Sequence, residues 1–362
     1  MNLNKKFIPF FPVFLILKIV IKNGGISFNY SLRLLTHILR SVIFEPFRLI
    51  ELIIFNNKIN NHEITQDPIF IIGHWRSGTS HLQKLLRQDK NNTSIGIFSS
   101  IFSSSFILTS TIIKPLVQKV CDVLEVEYSI QRTPLDLDYP GELDTGLCFL
   151  PNEHSYTWGH IFPANFKKHM DDCVFNDDSV LMSKWLDDYD YLIKKVSYYS
   201  QGKRVIVKSP GDTGRIKYLQ QRYPRARFVY IHREPLEVYH SNVFLWTKLR
   251  DQFCLQSLTD EQIHKNIVQT YPKLINRYIE QREQIKKGFL VEITFKQLIE
   301  EPLKTIEKTY STLDLGVIPV EELKIEINKN TYETNEYITP QNLESELKST
   351  WGDLIYFYPR KI

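Results

Sequence analysis

A chain of 362 residues is long for one compact core and short for three domains. Its hydrophobic content of 43% is that of a folded globular protein and excludes a disordered one. The formal charge of +4, spread without a Lys/Arg block, suits a polyanionic ligand and gives no reason to expect nucleic acid.

The N-terminal apolar run, Phe7 to Ile21, contains Pro9, Pro12 and Lys18 and is shorter than the roughly 20 residues of a membrane span. Lys5 and Lys6 precede it, yet no small-residue cleavage pattern follows, so it does not read as a signal peptide. Ser31 to Phe55 reads as an amphipathic helix. Leu32, Leu35, Leu39, Val42 and Ile43 form one side, and Arg33, His37, Arg40 and Arg48 lean to the other. Pro46 should kink or split it. The apolar side packs on the rest of the chain or on a partner in a homodimer, or it lies on a membrane surface. Residues 7–55 leave these readings open. The polar stretch 56–67 reads as a connection, which places a helical extension at 1–62 and the main domain at 63–362.

Ile69 to Ile72 reads as a first strand, followed by the loop Gly73-His74-Trp75-Arg76-Ser77-Gly78 and a helix from Thr79 to Gln88. Strand, loop and helix N-terminus make an anion cradle, because N–H groups and the helix dipole both favour negative charge there. Gly73 and Gly78 have the spacing of a Walker A loop. Thr79 stands where its lysine belongs, and Arg76 sits inside the loop instead. The loop thus suggests a phosphate-type ligand but not the ATP hydrolysis that uses that lysine.

Residues 95–120 read as helix and loop on the substrate side, and Val180 to Tyr199 as a helix. Continuous apolar strands follow at Val205–Val207 and Phe228–Ile231, with helices near Thr213–Arg222 and from Pro235. A strand at Phe289–Ile293 and a helix at Pro302–Leu313 come next, and the tail after Pro319 reads as irregular until Trp351. Such strands joined by helices predict an α/β fold: a P-loop-like parallel sheet flanked by helices, with the N-terminal helical extension. Three signature segments end strands, at Gly73, Lys208 and Arg233, and can converge where open parallel sheets bind ligands. Arg233 and Ser241, about two helical turns apart, make a phosphate clamp. Two anion sites imply a ligand with phosphates at both ends. Cys121, Cys148, Cys173 and Cys254 are far apart, without zinc-like spacing, and read as reduced thiols of a cytoplasmic protein.

The loop and the clamp, in this order, resemble the sulfotransferases that use 3′-phosphoadenosine 5′-phosphosulfate (PAPS), in particular the bacterial-type branch with an Arg-Ser-Gly-Thr loop. The resemblance covers roughly residues 65 to 315. It implies that Arg76, Ser77, Gly78, Thr79 and Ser80, with Gly73, hold the 5′-phosphosulfate, and that Arg233 and Ser241 hold the 3′-phosphate. Arg204-Val205-Ile206-Val207-Lys208-Ser209-Pro210 looks like the family's Lys-Ser-Pro strand end. Arg132-Thr133-Pro134-Leu135-Asp136, followed by Pro140-Gly141-Glu142-Leu143-Asp144, resembles its proline and acidic segment.

Sulfuryl transfer needs cations or N–H donors at the bridging oxygen and a base for the acceptor hydroxyl. Arg76 and Lys208 are the expected cations. Glu142 is the expected base, Asp144 orients it or meets the acceptor, and His154 and His160 are alternative bases. No metal is expected, since the donor is already activated. His74 can contact donor or acceptor, His81 reads as structural, and His232 should point away from Arg233. The acceptor class, whether small molecule, carbohydrate or lipid, is not legible. A P-loop kinase or hydrolase and a non-catalytic nucleotide-binding module are the competing readings. Magnesium dependence and ATP consumption would mark the former.

Overall fold

The computed structural model describes residues 13–128, 133–150, 154–329 and 337–358. Residues 7–12 of the apolar run and Arg132 of the proline stretch lie outside them. In chain order the first elements are α1 (Val13–Lys22), α2 (Ser31–Asn60), β1 (Ile69–Ile72), α3 (Thr79–Leu86), β2 (Asn92–Thr93), α4 (Ile97–Ile101) and α5 (Phe106–Val123). A short ribbon, β3 (Glu127–Tyr128) and β4 (Thr133–Pro134), precedes α6 (Leu143–Cys148), α7 (Thr157–Ile161), α8 (Phe166–Cys173) and α9 (Ser179–Tyr199). Then come β5 (Arg204–Lys208), α10 (Ile216–Arg222), β6 (Arg227–His232), α11 (Pro235–Phe253), α12 (Asp260–Arg282), β7 (Leu290–Thr294), α13 (Phe295–Glu300) and α14 (Pro302–Leu313). The chain divides into a sheet unit, Thr65–Ser94, Lys203–Phe244 and Glu261–Ile362, and a helical unit, Met1–Ile64, Ile95–Gly202 and Leu245–Asp260.

In the sheet unit the strand order is β2-β5-β1-β6-β7, and every pairing is parallel. β1 is buried along its whole length, as continuous Ile/Phe runs covered on both faces should be. On one face Ile69, Ile71, Ile206, Val229 and Ile231 pack with Leu82, Leu85 and Leu86 of α3 and with Leu313 of α14. An Ile→Ala change among them should cost about 2–5 kcal/mol. Aromatic pairs mark the sheet as well: Phe70 stacks on Phe228 at 5.4 Å and Tyr230 on Tyr278 at 3.7 Å. The chain starts in the middle at β1, fills β2 and β5 on one side, then crosses to β6 on the other. β1 therefore sits at the reversal of strand order, whose carboxyl end is the ligand-binding position of such sheets.

The helix predicted near Thr213–Arg222 is α10, which starts at Ile216 after a 3-10 turn, Pro210–Gly214. One expectation changes here. The tail read as irregular folds into α15 (Val320–Lys329) and α16 (Gln341–Trp351). Only Leu323 on α15, and Leu347 and Trp351 on α16, are buried, so one or two anchors per helix leave too weak an apolar period to read. Trp351 stacks on Tyr271 at 4.2 Å, and its indole donates to the Val268 carbonyl at 3.0 Å.

In the helical unit α2 runs unbroken through Pro46, so of the predicted kink or split the split does not occur. Tertiary contacts offset the lost hydrogen bond: Phe44 meets Phe102 edge-on at 5.2 Å, and the Glu51 carboxylate accepts the Leu108 amide at 2.8 Å. The Arg33 guanidinium caps the end of α11, donating to the carbonyls of Cys254 at 2.6 Å and Asp251 at 2.8 Å. Of the readings left open for the apolar side of α2, packing on the rest of the chain is not seen: Leu32, Leu35, Leu39, Val42 and Ile43 are all exposed. Its buried residues are His37, Ser41, Glu51 and Ile59.

Glu51 forms a fully buried ion pair with Lys195 of α9, whose ammonium also reaches the Ser103 carbonyl. Burial pushes the Glu51 carboxyl up and the Lys195 ammonium down, since both charged forms are desolvated. Glu51→Ala should therefore cost about 3–5 kcal/mol, because it strands Lys195 as a buried charge. Urea unfolding should show a smaller loss for Glu51→Leu combined with Lys195→Met.

Candidate active site

The loop after β1 is built around two glycines that tolerate no side chain. Gly73 has φ +147°, and a Cβ there would lie 2.5 Å from the Ile231 carbonyl oxygen. Gly78 has φ +100°, and a Cβ there would lie 2.4 Å from the Phe295 ring. As N-cap of α3, Gly78 offers no side-chain acceptor, so the first-turn N–H groups remain available to an anion. Between the glycines, Arg76 holds the left-handed conformation, φ +71°, which non-glycine residues seldom adopt. Its Nε donates to Ser241 Oγ of α11 at 2.9 Å, and its carbonyl accepts from Arg233 at 3.2 Å. Arg233 is buried; it is braced by Glu237 at 2.7 Å and lies over the Phe295 ring at 4.4 Å. The loop arginine thus touches both expected clamp residues, which makes one hydrogen-bonded network of the two motifs.

Lys208, also buried, ends β5 one strand away, with Ile71 of β1 as its register partner. Ile72 pairs with Tyr230, so the ends of β5, β1 and β6 lie side by side. The sheet unit therefore brings Gly73, Arg76, Lys208, Arg233 and Ser241 to one edge. Ser77 is buried, and its hydroxyl donates to the His74 carbonyl at 2.8 Å, so it holds the loop's own shape. Thr79 and Ser80 open α3.

Three residues of this network were not singled out from the sequence, or not given this part. Thr213 accepts from the Gly73 amide at 2.7 Å and donates to the Gly73 carbonyl at 3.0 Å, fixing the exit from β1. Asn242 donates to the Trp75 carbonyl at 2.9 Å. His74 is buried, with Nδ1 3.0 Å from the Trp75 carbonyl; since a carbonyl only accepts, Nδ1 carries the proton. Burial lowers its imidazole to about 4, so the ring is neutral at pH 7, and Nε2 has no partner among the described residues. Thr213→Val keeps the shape and removes both hydrogen bonds. It should lower stability by about 1–3 kcal/mol in thermal unfolding and reduce turnover by loosening the loop.

In the helical unit, Glu142 is the N-cap of α6 and accepts from the Tyr156 hydroxyl at 3.3 Å. Its segment is fixed where Gly141 donates to the Ile95 carbonyl at 2.9 Å. Asp144 is fully buried. His160 lies against Trp246 at 5.0 Å, and burial holds it at about 4, against the opposing pull of Glu142. His154 pairs instead with Asp188 at 2.5 Å. His81 is held at about 4 by burial, and His232 packs on Phe357 and Tyr358.

A profile of the Sulfotransferase family matches residues 68–319, most of the chain and the whole sheet edge just described. The chain belongs to the sulfotransferase family. Among curated sulfotransferases it is similar to omega-hydroxy-beta-dihydromenaquinone-9 sulfotransferase Stf3 of Mycobacterium bovis and of Mycobacterium tuberculosis. Identity to each is 27% over 315 residues, 85% of this chain and 79% of the relative. Its fold is that of sulfotransferase STF9 from Mycobacterium avium, with TM-score 0.68 at 13% identity over 100% of this chain and 99% of the other. Sulfotransferase STF1 from Mycobacterium tuberculosis superposes with TM-score 0.67 at 15% identity, covering 93% and 90%. As a sulfotransferase it has the parallel sheet flanked by helices that its strands predict.

Proposed function

We propose that this sulfotransferase moves a sulfuryl group from PAPS to the hydroxyl of a lipophilic alcohol. The observation that carries the donor is the Arg76–Ser241–Arg233 network at the carboxyl edge of β1 and β6. It offers guanidinium donors, a hydroxyl and helix N–H groups in one place, a fit for a ligand with two phosphates. The donor supplies an activated sulfate. Arg76 and Lys208 supply positive charge where the bisphosphate leaving group gains its negative charge. The acceptor oxygen forms the new S–O bond as the bridging S–O bond breaks, and the acceptor proton passes to a base. For that base we propose Glu142, a half-buried carboxylate held by Tyr156, with Asp144 as a positioning residue. A lipophilic acceptor is supported by the relatives at 27% identity, whose name specifies a hydroxylated dihydromenaquinone. A cytoplasmic site fits four buried cysteines, none in a disulfide.

Incubation with labelled PAPS and fractionated lipid extracts tests the reading, with product detected as the mass gain of one SO₃. Turnover that persists in EDTA is expected. Adenosine 3′,5′-bisphosphate should bind more tightly than 5′-AMP in calorimetry, and Arg233→Ala should weaken the bisphosphate by about 1.5–3 kcal/mol. Equal affinity for the two nucleotides would remove the 3′-phosphate from Arg233.

A further inference from the structure

A helix on the surface of a water-soluble domain turns its apolar stripe inward. α2 does the reverse. It buries His37, Ser41 and Glu51 and exposes Leu39, Val42, Ile43, Ile50 and Ile53, the last at 82%. Its neighbours expose apolar residues as well. α1, packed on α2, exposes Phe14, Leu17 and Ile21 at i, i+3 and i+7. α5, also packed on α2, exposes Ile112, Leu116, Val120 and Val123 on one stripe. Three adjacent helices of one unit thus each present a row of exposed apolar side chains, far more than scattered surface residues.

The charge of the N-terminal segment is as uneven as its polarity. Residues 1–60 hold eight Lys and Arg against two Glu, whereas residues 61–362 hold 37 basic against 39 acidic. The whole positive excess of the chain therefore lies in the segment that contains α1 and α2. Lys18 and Lys22 of α1, Lys58 of α2 and Lys119 of α5 are exposed on the same helices as the apolar stripes. Among the described residues no helix is long and apolar enough to cross a membrane, so these helices can lie on a bilayer but not span it. A two-fold contact between two copies would set this cationic segment against itself, which like charge opposes.

We propose that the outer face of α1, α2 and α5 docks on the surface of an anionic lipid bilayer, its apolar side chains in the acyl boundary and its lysines at the headgroups. The proposal goes beyond the reaction and needs neither donor nor acceptor, so it can fail while the sulfotransferase reading stands. The test is sedimentation of the full chain with phosphatidylcholine vesicles that contain about 30% phosphatidylglycerol, or none. Binding to the anionic vesicles is expected, at least about tenfold weaker on neutral ones and weakened by salt. Leu39→Gln/Ile43→Gln/Ile50→Gln changes only exposed positions and should cut partitioning by about tenfold or more with circular dichroism unchanged. Lys18→Gln/Lys22→Gln/Lys58→Gln should erase the preference for anionic lipid. The wild-type salt and lipid dependence decides the matter even if a variant misfolds. Failure of the wild-type chain to pellet with anionic vesicles overturns the proposal, as does pelleting that the folded triple glutamine variant leaves unchanged. A concentration-dependent dimer released by that variant, with vesicles binding neither form, also overturns it and makes the face a contact between copies.

Discussion

Lys208→Ala is expected to lower kcat by about 10²–10³, the scale for removing one preorganised charge from a developing anion. Lys208 is buried at the end of β5, beside β1, so its ammonium acts where water screens little. Arg76→Ala should lower kcat by a similar factor, but with a different signature. Arg76 also holds Ser241, so its loss should raise the KM for the donor as well, while Lys208→Ala leaves that KM nearly unchanged. Arg76→Lys should rescue little, because an ammonium cannot reproduce the fork. Steady-state kinetics against PAPS separate the two. Near-normal turnover in Lys208→Ala would make Lys208 a structural strand end.

Glu142→Gln should lower turnover by about 10²–10⁴, the span of general base catalysis, with bisphosphate affinity unchanged. The amide keeps the size of the side chain and a hydrogen-bond acceptor for Tyr156. The pH profile alone does not decide between Glu142 and His160. With its imidazole held at about 4 by burial, His160 would lose activity in the same acid range as a carboxylate. Substitution does decide. His160→Gln should stay within about tenfold of wild type, and Asp144→Asn should fall between the two. An inactive His160→Gln beside an active Glu142→Gln would transfer the role to the histidine.

The sheet was legible because its strands are buried on both faces and so are written as unbroken apolar runs, Ile69–Ile72 most plainly. The convergence of Gly73, Lys208 and Arg233 was legible for the same reason, since parallel strands put their carboxyl ends on one edge. Thr213 was not. Its two bonds to Gly73 join residues 140 apart in sequence, and a threonine in a Pro-Gly-Asp-Thr-Gly turn looks like any turn residue. The Glu51–Lys195 pair was hidden likewise, because charge in sequence gives no sign of burial. Amphipathicity revealed α2, but the pattern says only that the two sides differ. Which side faces the protein depends on the partners, here Lys195, the Leu108 amide and Phe102.

The bond from Arg76 to Ser241 carries a thermodynamic consequence for the proposed donor site. If one guanidinium orders residues assigned to opposite ends of a ligand, the two ends are energetically linked, and each is obliged to help the other by the same amount. Fragments that carry only the 5′ or only the 3′ phosphate should then bind with a combined free energy that falls short of the intact bisphosphate, even after the entropy of joining is allowed for. In a double-mutant cycle Arg76→Ala and Ser241→Ala should be non-additive by about 0.5–3 kcal/mol, so that the second substitution harms less than the first. Spent donor would then leave as a unit, since releasing either phosphate loosens the hold on the other.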